Sequence, residues 1–148
     1  MVIKTSKNGL NLIKKWETFK AEPYQCAAGV WTIGYGHTRT VDGALTTPIS
    51  EHTAETLLKQ DVYFIEKQLE PLIRELELNQ NQYDAIVSFC FNLGVGAFKK
   101  SNAFREMLLE STDSKMIADS WITFRNAGGR YLRGLMLRRF DELMLYYG

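Results

Sequence analysis

Between Pro23 and Pro48 the chain abandons the helical period that it shows on both sides, and this interruption restricts the folds open to it. The stretch from Ala28 to Thr38, AGVWTIGYGHT, is rich in β-branched and aromatic residues and spaced by glycines, the composition of a short hairpin or small sheet. Asp42-Gly43 marks a turn, and Thr46 to Pro48 closes the region. One small β element set into an otherwise helical pattern predicts an α+β protein with two lobes, and a cleft between lobes is the default ligand site.

The flanking patterns are helical. Ser6 can cap a helix whose apolar residues are Leu10, Leu12, Ile13, Trp16 and Phe19. Ser50 starts a long helix in which Ala54, Leu58, Val62, Ile65 and Leu69 recur at helical gaps, and Pro71 ends it or begins the next turn. Tyr83, Ile86, Val87 and Cys90 share a face of a helix over residues 80–93, stopped by Gly94. Ser101 or Asn102 caps a short helix through Leu109, and Asp113 caps another that contains Ile117, Trp121 and Phe124 and ends at Gly128-Gly129. Leu132, Met136, Phe140, Leu143 and Tyr147 define the apolar face of the last helix.

One residue breaks this pattern. On a helical projection Glu17 falls between Ile13 and Leu10, inside the apolar arc. A carboxylate there is costly unless it is paired or protonated. Protonated, it can donate to a leaving oxygen; paired, it meets Lys14, Lys20 or a C-terminal arginine.

Charge and cysteine content narrow the function classes. The 148 residues carry 18 Lys plus Arg against 17 Asp plus Glu, a net charge of +1 that argues against a dedicated polyanion binder such as a nucleic-acid-binding protein, while leaving room for a local basic patch. Arg125, Arg130, Arg133, Arg138 and Arg139 lack the aromatic interleaving of a single-strand binder, and Asp141 and Glu142 follow directly, so a solvated or ion-paired face is expected. No apolar run approaches the ~20 residues of a membrane span. The N-terminal MVIKTSKNGLNLIKKWE breaks its apolar residues with lysine and asparagine and does not read as a secretory signal. The expectation is synthesis in the cytoplasm, without stable membrane insertion, and export that depends on another protein. Two His and the two cysteines, Cys26 and Cys90, stand singly, so neither a metal site nor a disulfide framework is visible, and no cofactor is implied.

Glu17, Cys26 and Thr32, within a stretch that includes YQCAAGVWTIGYGHT, resemble the phage-type lysozymes of glycoside hydrolase family 24, which share a glutamate, an Asp or Cys nine positions later and a threonine six beyond that. The resemblance extends along the chain through ISEHTAETLLKQD, FNLGVGAFKKS and NAGGRYLRGLMLRRFDEL. It departs at Thr18, where the family usually has glycine, and at Ala27, where proline is common. The resemblance implies a single lysozyme-like domain over 1–148, with a β lobe at about 20–49, a connecting helix at about 50–70, and a helical lobe at about 71–148 that includes the N-terminal helix.

It also implies a phage or prophage endolysin, acting as a monomer on the peptidoglycan of the cell wall after release by a holin or another export route. Such enzymes cleave the β-1,4 bond between N-acetylmuramic acid and N-acetylglucosamine, generally with inversion. Glu17 would protonate the glycosidic oxygen, while Cys26 and Thr32 hold and activate a water on the opposite face of the sugar. A free thiol near pKa ~8.5 is mostly protonated at neutrality, so Thr32 is expected to position the water and Cys26 to assist. Glu22 and Asp42 are further carboxylates that nothing in the sequence places at the site. Family members that carry cysteine here and are held inactive by a disulfide also carry a membrane-tethering segment; that regulation is not expected for this chain, and Cys90 reads as a core residue.

The same resemblance pairs His37 with Asp61 as a structural ion pair that ties the β element to the long helix. It places Thr38, Phe91 and Ser101 at substrate-binding positions, although a core aromatic and an N-cap serine explain the last two equally well. Tyr35 and Trp31 are candidates for ring contact with sugars, Trp31 more readily for packing. The alternative from another class is a noncatalytic peptidoglycan-binding module that retains the fold; Glu17 and Thr32 favour the enzyme, because binding alone has no need of that pair.

Overall fold

The structure, a computed structural model, describes residues 3–26, 28–38, 48–109 and 114–148. The chain divides into two compact units, one formed by Ile13–Phe64 and the other by Met1–Leu12 with Ile65–Gly148.

Helix α1 (Lys7–Glu17) begins where Ser6 caps it, with the Gly9 N–H on Ser6 Oγ at 3.3 Å. The Ser6 N–H donates to Asp84 at 3.0 Å, and its hydroxyl makes a short bond to the same carboxylate. The helix ends at Glu17 because Thr18 turns into the left-handed region, φ 56°. Phe19, expected on its apolar face, therefore lies beyond it.

In the unit Ile13–Phe64, β1 (Lys20–Gln25) pairs antiparallel with β2 (Trp31–Gly34), with Lys20 opposite Gly34, Tyr24 opposite Thr32 and Gln25 opposite Trp31. The hairpin thus starts upstream of the glycine-spaced stretch and takes in Pro23. The ladder tolerates a residue without an N–H because its register shifts between Lys20 and Tyr24. After β2 the chain turns back, and Ile33 and His37 exchange backbone hydrogen bonds of 2.9 Å. The expected turn at Asp42-Gly43 and the closure at Thr46 lie outside the described residues. Helix α2 (Glu51–Ile73) is capped by Ser50, whose Oγ accepts from Thr53 N at 3.1 Å. It runs through Pro71 rather than stopping there, since a proline in the last turn removes only one intrahelical bond.

The other unit holds the helices that follow. Helix α3 (Gln80–Leu93) opens on a capping box between Asn79 and Gln82 and stops at Gly94. Helix α4 (Val95–Lys100) leads to α5 (Asn102–Leu108), capped by Ser101. Helix α6 (Ser114–Ile122) is shorter than expected: Phe124 lies past its end, and its expected cap Asp113 is outside the described residues. Gly128 and Gly129, φ 59° and 74°, do not end a helix but form the turn of a small hairpin between β3 (Asn126–Ala127) and β4 (Arg130–Tyr131). Helix α7 (Arg133–Tyr146) closes the chain and packs on α3.

The buried face of α7 differs from the expected one. Of the five residues expected to face inward, only Leu143 is buried; its companions are Arg138, Arg139, Glu142 and Tyr146. Glu142, fully buried, accepts from Arg139 Nε at 2.7 Å, Ser88 Oγ at 2.7 Å and Trp121 Nε1 at 3.0 Å, with Arg138 Nε at 3.4 Å. A carboxylate with every lone pair matched and two guanidiniums beside it can occupy the interior. Of the five arginines expected on a solvated or ion-paired face, Arg138 and Arg139 are buried and paired with this one carboxylate, and Arg125, Arg130 and Arg133 are exposed. Phe89 lies against this cluster, its ring 5.1 Å from the Arg139 guanidinium and 5.1 Å from Trp121.

Candidate active site

Glu17 sits at the last position of α1, half-buried, and its carboxylate lies against the bare Cα of Gly36. A Cβ at Gly36 would stand 2.6 Å from Glu17 Oε2, so a side chain there must displace the carboxylate, and the left-handed backbone, φ 72°, favours glycine. Of the three cations considered as partners of Glu17, Lys14 forms an ion pair with Glu55 of α2 and holds its carboxyl below the usual range.

Cys26 follows β1 in a tight connection: its N–H donates to Val30 O at 3.0 Å, and its carbonyl accepts from Gly29 N at 2.8 Å. This loop points backbone N–H groups of Val30 and Ala28 at the sulfur; they lower the thiol from its ordinary value, partial burial opposes them, and the Thr32 hydroxyl adds to the lowering. The site therefore favours thiolate more than an ordinary cysteine would. Thr32, 4% exposed, also places Oγ1 3.0 Å from Val30 O. A hydroxyl has one proton, so it donates to Val30 O while Cys26 is a thiol and can turn to the sulfur once that is a thiolate.

Tyr24 is a further residue of this group, one that the sequence pattern does not single out. It stands opposite Thr32 across the ladder, and cross-strand partners share a face. Burial pushes its phenol up, and the negative charges of Glu17 and Cys26 push it further, so it stays a neutral donor beside both. The signal was its place two residues before Cys26, on the same side of an extended segment.

The other candidates fall in different settings. Tyr35 is 5% exposed, its hydroxyl donates to Glu51 Oε1 at 2.7 Å, and burial followed by Glu51 pushes it up to about 12. Phe19 lies 5.8 Å from its ring and Lys14 Nζ 5.6 Å, which makes it a packed residue beneath the strand end. His37 is buried with Nδ1 2.8 Å from Asp61 Oδ2. Trp31 is half-buried, while Thr38 and Glu22 are exposed. Asp42 lies outside the described residues. Phe91 and Ser101 belong to the other unit; Phe91 is half-buried, and the Ser101 hydroxyl accepts from Phe104 N at 3.1 Å and donates to Phe98 O at 2.7 Å. Cys26 and Cys90 are both free thiols, and burial pushes Cys90 up. Among the described residues no group of three or more His, Cys, Asp and Glu could hold a metal ion.

A phage lysozyme family model matches residues 14–142. The chain is similar to the endolysin of Acyrthosiphon pisum secondary endosymbiont phage 1, with 36% identity over 143 residues covering 95% of this chain and 96% of that one. It is 35% identical over 130 residues to the endolysin of Salmonella phage P22, covering 86% and 87%. Among solved structures, the muramidase domain of SpmX from Asticaccaulis excentricus has a TM-score of 0.87 at 32% identity, covering 98% of each chain. A P22 lysozyme mutant has a TM-score of 0.84 at 34% identity, covering 99% of each. These likenesses give the α+β architecture a lysozyme-like fold.

Proposed function

This chain belongs to the phage lysozyme family and is an enzyme of the lysozyme class, and on that premise we propose that it is an endolysin muramidase. It hydrolyses the β-1,4 bond between N-acetylmuramic acid and N-acetylglucosamine of bacterial peptidoglycan, with Glu17 as general acid. The observation that carries this reading is the grouping of Glu17, Cys26 and Thr32 in one compact unit, the carboxylate seated on Gly36 and the thiol beside the Thr32 hydroxyl.

In the proposed reaction Glu17 gives its proton to the glycosidic oxygen as the bond from the anomeric carbon to that oxygen breaks. A water held by Thr32 attacks the opposite face of the sugar, and its proton passes to the Cys26 thiolate, which inverts the anomeric centre. Lowering of the thiol by Val30, Ala28 and Thr32 supports a larger part for Cys26 than an ordinary thiol could take. Tyr24 feels the charges on Glu17 and Cys26 and stays neutral, so its phenol dipole is suited to stabilise the glutamate once that has become an anion. The pairing of His37 with Asp61 is read as structural, fixing β2 to α2. Delivery by a holin or another route, and action as a monomer on the wall, complete the proposal.

Turbidity of purified peptidoglycan tests it with wild type, Glu17→Gln and Cys26→Ser. Lysis by wild type and its loss in Glu17→Gln are expected, with the α anomer as first product by NMR. Wild-type lysis by Glu17→Gln refutes the assignment of the acid. Binding of wild type to the wall without release of reducing ends would instead favour a noncatalytic wall-binding module.

A further inference from the structure

Helix α7 is built inside out. Its charged residues Arg138, Arg139 and Glu142 are buried, while large apolar side chains face solvent. Arg133, Leu137, Phe140, Met144 and Tyr147 recur at gaps of four and three, which places them within an arc of about 80°. Leu137 is 38%, Phe140 44%, Met144 76% and Tyr147 46% exposed. The hairpin before the helix adds two exposed apolar residues on opposite faces: Leu132, and Tyr131, whose hydroxyl lies 3.1 Å from Met136 Sδ.

Three cations stand at the same end. Leu132 N donates to Arg125 O at 2.9 Å and Ala127 pairs with Arg130, so Arg125 and Arg130 lie on one face of the hairpin, and Arg133 follows at the start of α7. All three are exposed, and among the described residues none is held in an ion pair. No acid occurs from Phe124 through Phe140; Asp141, half-buried, flanks the apolar arc.

We propose that this face docks on the anionic surface of a phospholipid bilayer, with Leu137, Phe140 and Met144 entering the headgroup boundary and Arg125, Arg130 and Arg133 meeting lipid phosphates. An exposed apolar stripe joined to unpaired cations is what such a surface complements. A second copy complements it poorly. Antiparallel pairing of two stripes sets Arg133 against Tyr147 and parallel pairing sets it against itself, and the stripe offers no carboxylate in either. The attachment is peripheral, since no helix among the described residues is long and apolar enough to cross a membrane.

Flotation of the full chain with vesicles of phosphatidylglycerol and phosphatidylcholine, against vesicles of phosphatidylcholine alone, tests this. Wild type is expected to float with the anionic vesicles only, and less at about 0.5 M than at about 0.1 M salt. Arg125→Gln/Arg130→Gln/Arg133→Gln should lower partitioning about a hundredfold and remove the salt dependence, at about 1 kcal/mol per cation. Leu137→Ser/Phe140→Ser/Met144→Ser should lower it at least about tenfold. Both variants should keep the wild-type melting temperature and lysis of membrane-free peptidoglycan; should the apolar variant fail to fold, the arginine variant and the salt series decide alone. Wild type that does not float, or an arginine variant that floats as wild type does, overturns the proposal. It also falls if the apolar variant instead turns a sedimenting dimer into a monomer, or loses pelleting with purified sacculi.

Discussion

Replacing Gly36 with alanine places a methyl carbon 2.6 Å from Glu17 Oε2 and 3.0 Å from its Cδ. Ordinary contact begins near 3.4 Å, so the carboxylate must retreat by about 0.8 Å. Two effects then separate. A left-handed residue with a Cβ costs about 1–2 kcal/mol, offset by about 0.4–1 kcal/mol from the stiffer unfolded chain, so the fold should weaken by about 1 kcal/mol. A misplacement of this size in a catalytic group lowers turnover by up to ~100-fold, about 2.7 kcal/mol of transition-state stabilisation. Gly128→Ala is the control, because φ there is 59° and a Cβ would meet nothing within 4 Å. Urea denaturation should find the two variants about equally destabilised, whereas turbidity of purified peptidoglycan should find Gly36→Ala slow and Gly128→Ala near wild type. If Gly36→Ala lyses as fast as Gly128→Ala, the position of the Glu17 carboxylate does not control the reaction, and the assignment of the acid loses its geometric support.

Thr18, a β-branched residue at φ 56°, holds the left-handed position that ends α1 beside Glu17. Thr18→Gly should raise stability by about 0.5–1 kcal/mol in urea, since relief of strain exceeds the added unfolded-state entropy; a loss of stability would mean that Thr18 makes contacts worth more than its strain. The Thr32 hydroxyl is one of the donors that lower the Cys26 thiol, so Thr32→Val should move that thiol upward. Thiolate alone is alkylated, and the midpoint of Cys26 alkylation by iodoacetamide, followed by peptide mass spectrometry, should shift to higher pH. An unchanged or lower midpoint would show that the backbone N–H groups act alone.

Local chemistry was legible in the sequence wherever a single side chain decides the backbone. Ser6, Ser50 and Ser101 cap the helices they were expected to cap, and Gly94 ends α3. The unusual position of Glu17 also followed from the helical period alone. What escaped notice depends on partners far away in sequence. Pro23 hides β1, because proline reads as a strand breaker unless the register slip that tolerates it is known. Gly128-Gly129 reads equally as a helix stop and as a hairpin turn, and the ladder from Asn126 to Tyr131 decides between them. The buried face of α7 could not be read from hydropathy, since its polar residues are inside only because Ser88 and Trp121, on α3 and α6, complete the bonding of Glu142. Tyr24 was missed for a related reason: its neighbours Glu17 and Thr32 come to it through the end of α1 and across the hairpin.

The arrangement around Glu142 also bears on how the helical unit comes apart. One carboxylate is satisfied by Ser88 of α3, Trp121 of α6 and the two arginines of α7, so undocking any one of these helices strands a charge or its donors in an apolar interior. Partly assembled forms of the unit are therefore disfavoured relative to both the native and the fully unfolded chain. Amides of α3, α6 and α7 should exchange with solvent deuterium through one shared opening event, with protection lost together as denaturant is raised. A buried ion cluster that adds little net stability can still make three helices unfold as one.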